Sequence, residues 1–291
     1  MRRDELSINW YLEKTMDLLE MCPLENQFQD FIVYPILEEV IHGTDLCDCD
    51  LVDCHNFKQF NTQKHDRTKY SVLAKAVPDL LIARNFFYNN TDRRVYDALE
   101  PIAAIEVKEP NSDTMMDKVV DKGIYPGNKE IIARANCEGA TCAEYGDYLC
   151  AEILPNLVRN GKLMLTNIRK WEVFDVRNVN KKENEHLIEN IHMYMSKLDE
   201  IGRRYSKNSE RKQMLSDAKE LDREYSDSIK EYVKKAHVKT WDIITIKGKI
   251  NVNRCCFIDN KDSDITEMSD ISYNKKEWND LINGLRRFLF T

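Results

Sequence analysis

The chain has 291 residues, of which 42% are hydrophobic and 32% charged, and carries a net charge of −7 at pH 7. That apolar share suffices for a packed core of one large domain or two modest ones, while no apolar run approaches bilayer-spanning length and Met1-Arg2-Arg3-Asp4-Glu5 lacks an apolar signal region. A membrane or secreted protein is therefore not expected, a cytoplasmic one is, and the acidic balance leaves a nucleic-acid binder only a local basic groove.

The first predicted element is a helix beginning near Pro23, a residue tolerated in the first turn. Phe28, Phe31, Ile32, Ile36 and Val40 follow helical spacing, and Gly43 offers a stop. Glu25 lies in its first turn, where a carboxylate complements the helix dipole. Next come Cys47, Cys49, Cys54 and His55, which are zinc-type ligands. Cys-x-Cys is an unusual spacing for zinc, however, and the stretch alternates like a strand, so reduced thiols are the default reading for these and for Cys137 and Cys142.

Val77-Pro78-Asp79-Leu80-Leu81-Ile82 then reads as a strand headed by an aspartate, and Ala104-Ile105-Glu106-Val107-Lys108 as a second strand. Side chains alternate along a strand, so Glu106 and Lys108 emerge together while Ile105 and Val107 face a core. If the two strands pair, Asp79 comes beside Glu106, and two carboxylates and an ammonium share one polar site. Such a group suits a hard divalent cation, Mg²⁺ or Mn²⁺, which takes oxygen ligands and keeps waters for a nucleophile. Asn85 to Pro101 forms an insert between the strands, and Glu109 to Asn128 an irregular stretch after the lysine; loops of this length near a site serve as lids or grips. Arg84, Arg93, Arg94, Lys118, Lys122 and Lys129 surround the site in sequence, either as a DNA groove or as a solvated face.

Ala143 to Leu154 is an amphipathic helix candidate. Lys162 to Phe174 follows as a hairpin turned at Asn167 to Lys170. From Lys181 to Lys239 basic and acidic residues nearly cancel, and Ile188, Ile191, Met195, Leu198, Ile201 and Tyr205 recur at helical spacing. This is expected to be a long helix, or a helical hairpin broken near Ser206 to Ser209, acting as an arm for oligomerisation. Trp241 to Ile246 and Lys249 to Val252 suggest a hairpin turned at Lys247-Gly248, and Trp278 to Phe290 a final helix with Leu281, Leu285, Phe288 and Leu289 on its apolar face.

Pro78-Asp79 followed by Glu106-Val107-Lys108 resembles the signature of the PD-(D/E)xK nuclease superfamily. The flanking order sharpens the resemblance. Glu25 on a helix running into Tyr34-Pro35-Ile36-Leu37, and Thr166-Asn167 followed by Trp171, are similar to the N-terminal nuclease domain of type I restriction-enzyme R subunits and their stand-alone relatives. The chain departs from that family at Ile168, where glycine is usual, and at Glu144, four residues before Tyr148, where glutamine is usual. The resemblance spans residues 23 to 176. It implies that Asp79 and Glu106 bind the metal with the Val107 carbonyl, that Lys108 assists the attacking water, and that a helix glutamate reaches toward the metal, by position Glu25, with Glu38 or Glu39, one turn after Pro35, as rivals.

The expectation is thus an α/β protein with a restriction-endonuclease-like core, a mixed central sheet flanked by helices, over residues 1–178. A helical arm would occupy 179–240, and a C-terminal hairpin and helix 241–291. The expected activity is Mg²⁺- or Mn²⁺-dependent DNA cleavage in restriction or antiviral defence, with homodimerisation or partner binding through the 181–239 arm. A non-catalytic nucleic-acid-binding subunit and an RNA nuclease are the alternatives.

Overall fold

In the structure, a computed structural model, residues 6–20, 25–42, 48–54, 78–84, 100–108, 110, 114–117, 149–204, 211–246 and 271–290 are described. The strands β1 (Cys49–Asp53), β2 (Leu80–Arg84), β3 (Glu100–Val107), β4 (Lys162–Thr166), β5 (Lys170–Asp175) and β6 (His237–Asp242) form one six-stranded sheet in sequence order. All neighbours are antiparallel except β3 and β4, which run parallel. That one parallel pair requires a crossover. Helix α4 (Leu149–Asn160) lies within it. The β2–β3 register slips between Ile82 and Ala83, opposite Pro101, which has no N–H for the ladder. Pro101, expected in the insert, thus already belongs to β3.

Alternation along the strands divides the core into two layers. Leu80, Ile82, Ala103, Ile105, Val107, Met164, Trp171, Val173 and Trp241 face one side. There they meet α1 (Ile8–Glu20), α2 (Glu25–Phe28), α3 (Tyr34–Ile41) and α8 (Lys275–Phe290). Leu81, Ala83, Ala104, Leu163, Leu165 and Phe174 face the other side. That side is covered by α4, α5 (Glu185–Arg204), α6 (Arg211–Glu224) and α7 (Ser226–Ala236).

The first expected helix is interrupted. Between α2 and α3, Gln29–Val33 forms a π turn, in which the Tyr34 N–H donates to the Gln29 carbonyl. Pro35 supplies the reason: its ring crowds the carbonyl four residues earlier and it has no N–H, and widening the preceding turn accommodates both. The inserted width also rotates the face. Phe31, expected in the core, is 55% exposed, while Phe28, Ile32, Ile36 and Val40 are buried as their spacing implied.

Helix α4, expected from Ala143, is described from Leu149 and continues through Pro155, past the end expected at Leu154; residues 143–148 lie outside the described residues. Leu154 and Leu157 bury on both sides of the proline, so packing outweighs one missing helix bond. Gly161, with φ of 78°, then turns the chain directly into β4.

The expected oligomerisation arm packs on its own chain. Ile191, Met195, Leu198 and Ile201 of α5 are buried in the same cluster as Leu163, Leu165 and Phe174 of the sheet. The apolar stripe of that segment therefore covers this face of the sheet. Likewise, the boundary expected near residue 240 falls inside β6, a strand of that sheet. The small strand β7 (Ile244–Ile246) pairs with β8 (Ile271–Tyr273); the expected return strand Lys249 to Val252 lies outside the described residues.

Helix α8 is anchored from both neighbours. Arg286 donates to the Glu39 and Val40 carbonyls and pairs with the Glu39 carboxylate at 3.1 Å, capping α3. Gly284 lies against Trp241 so closely that a Cβ would overlap the indole.

Candidate active site

β2 brings Asp79 to the end of the sheet where β3 delivers Glu106. The last β2–β3 pair is Leu80 with Ile105, so continuing the register by one residue sets Asp79 beside Glu106. Both precede or follow in alternation with Leu81 and Ala104, so they share the α4-covered face. Asp79 Oδ2 accepts the Val107 N–H at 2.6 Å, tying the aspartate to the β3 backbone. Its own carbonyl accepts the Cys54 N–H at 2.9 Å, which adds Cys54 to the same row.

Glu106 is 3% exposed. Asn156 Nδ2 donates to its Oε1, and Lys108 Nζ lies 3.5 Å from its Oε2. The Lys108 backbone is fixed in turn, its N–H donating to the Thr166 carbonyl at 2.7 Å. Burial first, then the charges of Asp53, Asp79 and Glu106, push the Cys54 thiol well above its ordinary range.

Asp79, Glu106 and Lys108 thus come together as expected. Two carboxylates from adjacent strands with an ammonium beside them are of a kind that fits a divalent cation such as Mg²⁺, which needs only one or two protein carboxylates beside substrate oxygens and water. Among the described residues no group of three or more His, Cys, Asp or Glu side chains is arranged for a metal. Val107 sends its side chain to the opposite layer and its N–H to Asp79.

Glu25 opens α2, with its side chain outside the described residues. Its rivals have other surroundings: Glu38 is exposed, and Glu39 pairs with Arg286. Glu144 and Tyr148 also lie outside the described residues, as do Arg93, Arg94, Lys118, Lys122 and Lys129. Arg84 is paired with Asp48 at 3.0 Å. Cys47 and His55 lie outside too, but Cys49 and Cys54 settle the zinc question for their own pair: they bury on opposite faces of the sheet and cannot share an ion.

Asn156 is the site residue that sequence reading missed. Its only signal is that it falls one turn before Asn160 on the face of α4 that also carries Leu157, and nothing local links it to Glu106 fifty residues earlier.

The hairpin beyond the site is held in an unusual backbone state. Ile168 has φ of 69°, the left-handed region that favours glycine, at the position where the sequence departs from the resembled family. Its N–H donates to Thr166 Oγ1 at 3.0 Å and its carbonyl accepts Tyr11 Oη–H at 2.5 Å. Tyr11 accepts the Trp171 indole N–H at 3.2 Å, closing the support.

Compared with known proteins, the chain matches no family model, no curated sequence and no solved structure. Among the described residues no helix is long and apolar enough to cross a membrane.

Proposed function

We propose that this chain is a divalent-metal-dependent phosphodiesterase acting on DNA, with a restriction-endonuclease-like core. The observation that carries the reading is the meeting of Asp79, Glu106 and Lys108 on one face at the end of two paired strands. The chain order of α2, β2, β3, α4 and the β4–β5 hairpin, and the left-handed Ile168, also support it.

Asp79 and Glu106 would hold the cation, with Asn156 fixing the Glu106 carboxylate so that its orientation survives each turnover. Bound there, Mg²⁺ or Mn²⁺ would polarise the phosphate and acidify a water. Lys108, held through its backbone by β4 and through its ammonium by Glu106, would orient the attacking water and offset charge developing on the phosphate. A net charge of −7 and the pairing of Arg84 with Asp48 favour weak intrinsic affinity for DNA, supplemented by a partner chain or second copy. A cytoplasmic role in restriction or antiviral defence follows from the family resemblance.

The test is incubation of purified protein with plasmid, linear DNA and RNA in Mg²⁺ or Mn²⁺, beside Asp79→Ala and Lys108→Ala. DNA cleavage lost in both variants is the expected result. Cleavage surviving both removes this site, cleavage confined to RNA changes the substrate, and DNA retention without cleavage favours a binding subunit.

A further inference from the structure

Across β4 from Glu106, on the same face of the sheet, stands a second buried carboxylate. The registers set Glu106 beside Leu165 and Leu165 beside Glu172, and Glu172 is 1% exposed. Its partners come from the chain that has just left Lys108. Thr114 Oγ1 donates to Glu172 Oε1 at 2.6 Å, and the Met116 N–H donates to Oε2 at 3.2 Å.

The same short segment is fastened in three further ways. Thr114 Oγ1 accepts the Asp117 N–H at 3.3 Å, Asp117 pairs with Lys170 Nζ at 2.7 Å, and Met115 is fully buried in the sheet's core. β5 therefore grips Thr114 to Asp117 through two of its side chains, Lys170 and Glu172. Little in the strand itself asks for an acid at this position. Burial pushes the Glu172 carboxyl up to about 7, and Asp117 adds to that, while the Thr114 and Met116 bonds and Lys170 oppose it. An ionised group so placed burdens the folded state, whereas an apolar residue would serve β5 as Leu165 serves β4.

We propose that Glu172 is a positioning residue for the β3 site: by holding Thr114–Asp117 against β5, it fixes where the chain beyond Lys108 is fastened back onto the sheet. Lys108 is tied at its backbone to Thr166 and at its ammonium to Glu106. The grip on Thr114–Asp117 is the next described hydrogen-bonded anchor along the chain, so β4 holds the chain at Lys108 and β5 holds it again at Thr114–Asp117. The inference rests on the phosphodiesterase reading of Asp79, Glu106 and Lys108.

Glu172→Leu, Thr114→Val and the double variant of the full chain test it by two readouts. In cleavage assays each single variant is expected to lower kcat by on the order of tenfold to a hundredfold with KM nearly unchanged, since small displacements of a catalytic group act on the chemical step. The double variant should be no worse than the more damaging single one, because both remove the same bond. In parallel, hydrogen exchange at the Met116 and Asp117 amides should show protection in the wild type and faster exchange in every variant. If Glu172→Leu does not fold, Thr114→Val carries both measurements. Wild-type kcat in the variants overturns the proposal, as does unchanged exchange. Absence of cleavage by the wild type defeats the phosphodiesterase reading, and the exchange data then uphold or overturn the grip by themselves.

Discussion

The two faces of the sheet are made by the same strands and differ in what they hold. Toward α1–α3 and α8 the middle of the strands presents apolar side chains, among them Ile82, Ile105, Met164, Trp171 and Val173, with Lys162 and Lys239 at the margin reaching α8 and Thr166 bonded within its own hairpin. Toward α4–α7 the alternate residues include Leu81, Ala104, Leu165 and Phe174, but also Asp79, Glu106 and Glu172. Strand formation cannot account for the difference, since both sets share one backbone. Neither can stability, because removing carboxylates from water costs free energy that apolar residues at the same positions would not. One face holds the sheet together; the other uses it as a platform.

Adjacent residues of β3 break this comparison most sharply. Glu106→Gln keeps the side-chain shape and removes the charge, so DNA cleavage should fall on the order of 10³-fold while the folded state loses little. Ile105→Ala, one residue away and fully buried on the other face, should lower stability by about 2–5 kcal/mol through lost burial and the cavity left behind. Its cleavage rate per folded molecule should stay near wild type. Denaturant titration together with cleavage rates corrected for folded fraction measures both, and an interchange of the two effects would abolish the division between the faces.

Glu172 sharpens the comparison through pH. Its folded carboxyl holds its proton up to about 7, against an ordinary value of 4.5. Between these values the folded chain binds more protons than the unfolded chain, so stability falls as pH rises through the window and the whole penalty is present above about 7. The displacement corresponds to about 3 kcal/mol. Glu172→Gln lacks this contribution. Its stability relative to wild type should therefore rise by up to about 3 kcal/mol between pH 4.5 and 8, measured as denaturant midpoints at several pH values. A difference that is flat with pH would mean that Glu172 is not a strained carboxylate.

What was legible in the sequence and what was not divide along physical lines. The alternation of Ile105, Glu106, Val107 and Lys108 is local, and a strand turns it directly into two faces. The Leu281, Leu285, Phe288 and Leu289 stripe is local in the same way, and these four residues are all buried on α8. Asn156 and the Thr114–Glu172 bond were invisible because each depends on strand order, which no window of sequence contains. The α5 stripe is legible as the covered face of a helix, but not what covers it, since periodicity shows that a face is covered without showing by what. Pro35 and Pro155 mark the opposite limit: one widened its helix and the other was absorbed, and packing of the surrounding leucines, isoleucines and valines decided between them.

The smallest predicted effect concerns Ile168, which belongs to the apolar face yet shapes the polar one. Its side chain is fully buried among Trp171 and its neighbours, while its backbone, at φ of 69°, shapes the turn between the Thr166 carbonyl that holds Lys108 and Lys170 that holds Asp117. A β-branched residue in the left-handed region costs about 1–2 kcal/mol, so the buried side chain and the Tyr11 and Thr166 bonds must over-determine the turn. Ile168→Gly and Ile168→Ala both lose the burial and should both be less stable than wild type. Only glycine relieves the backbone, so it should exceed alanine by about 0.5–1 kcal/mol after allowing for its greater unfolded-state freedom, the reverse of their order in ordinary strands. Denaturant midpoints of the two variants read this directly. Alanine equal to or above glycine would mean that the turn is not strained, and the departure from glycine at this position would then need no compensation from the apolar face.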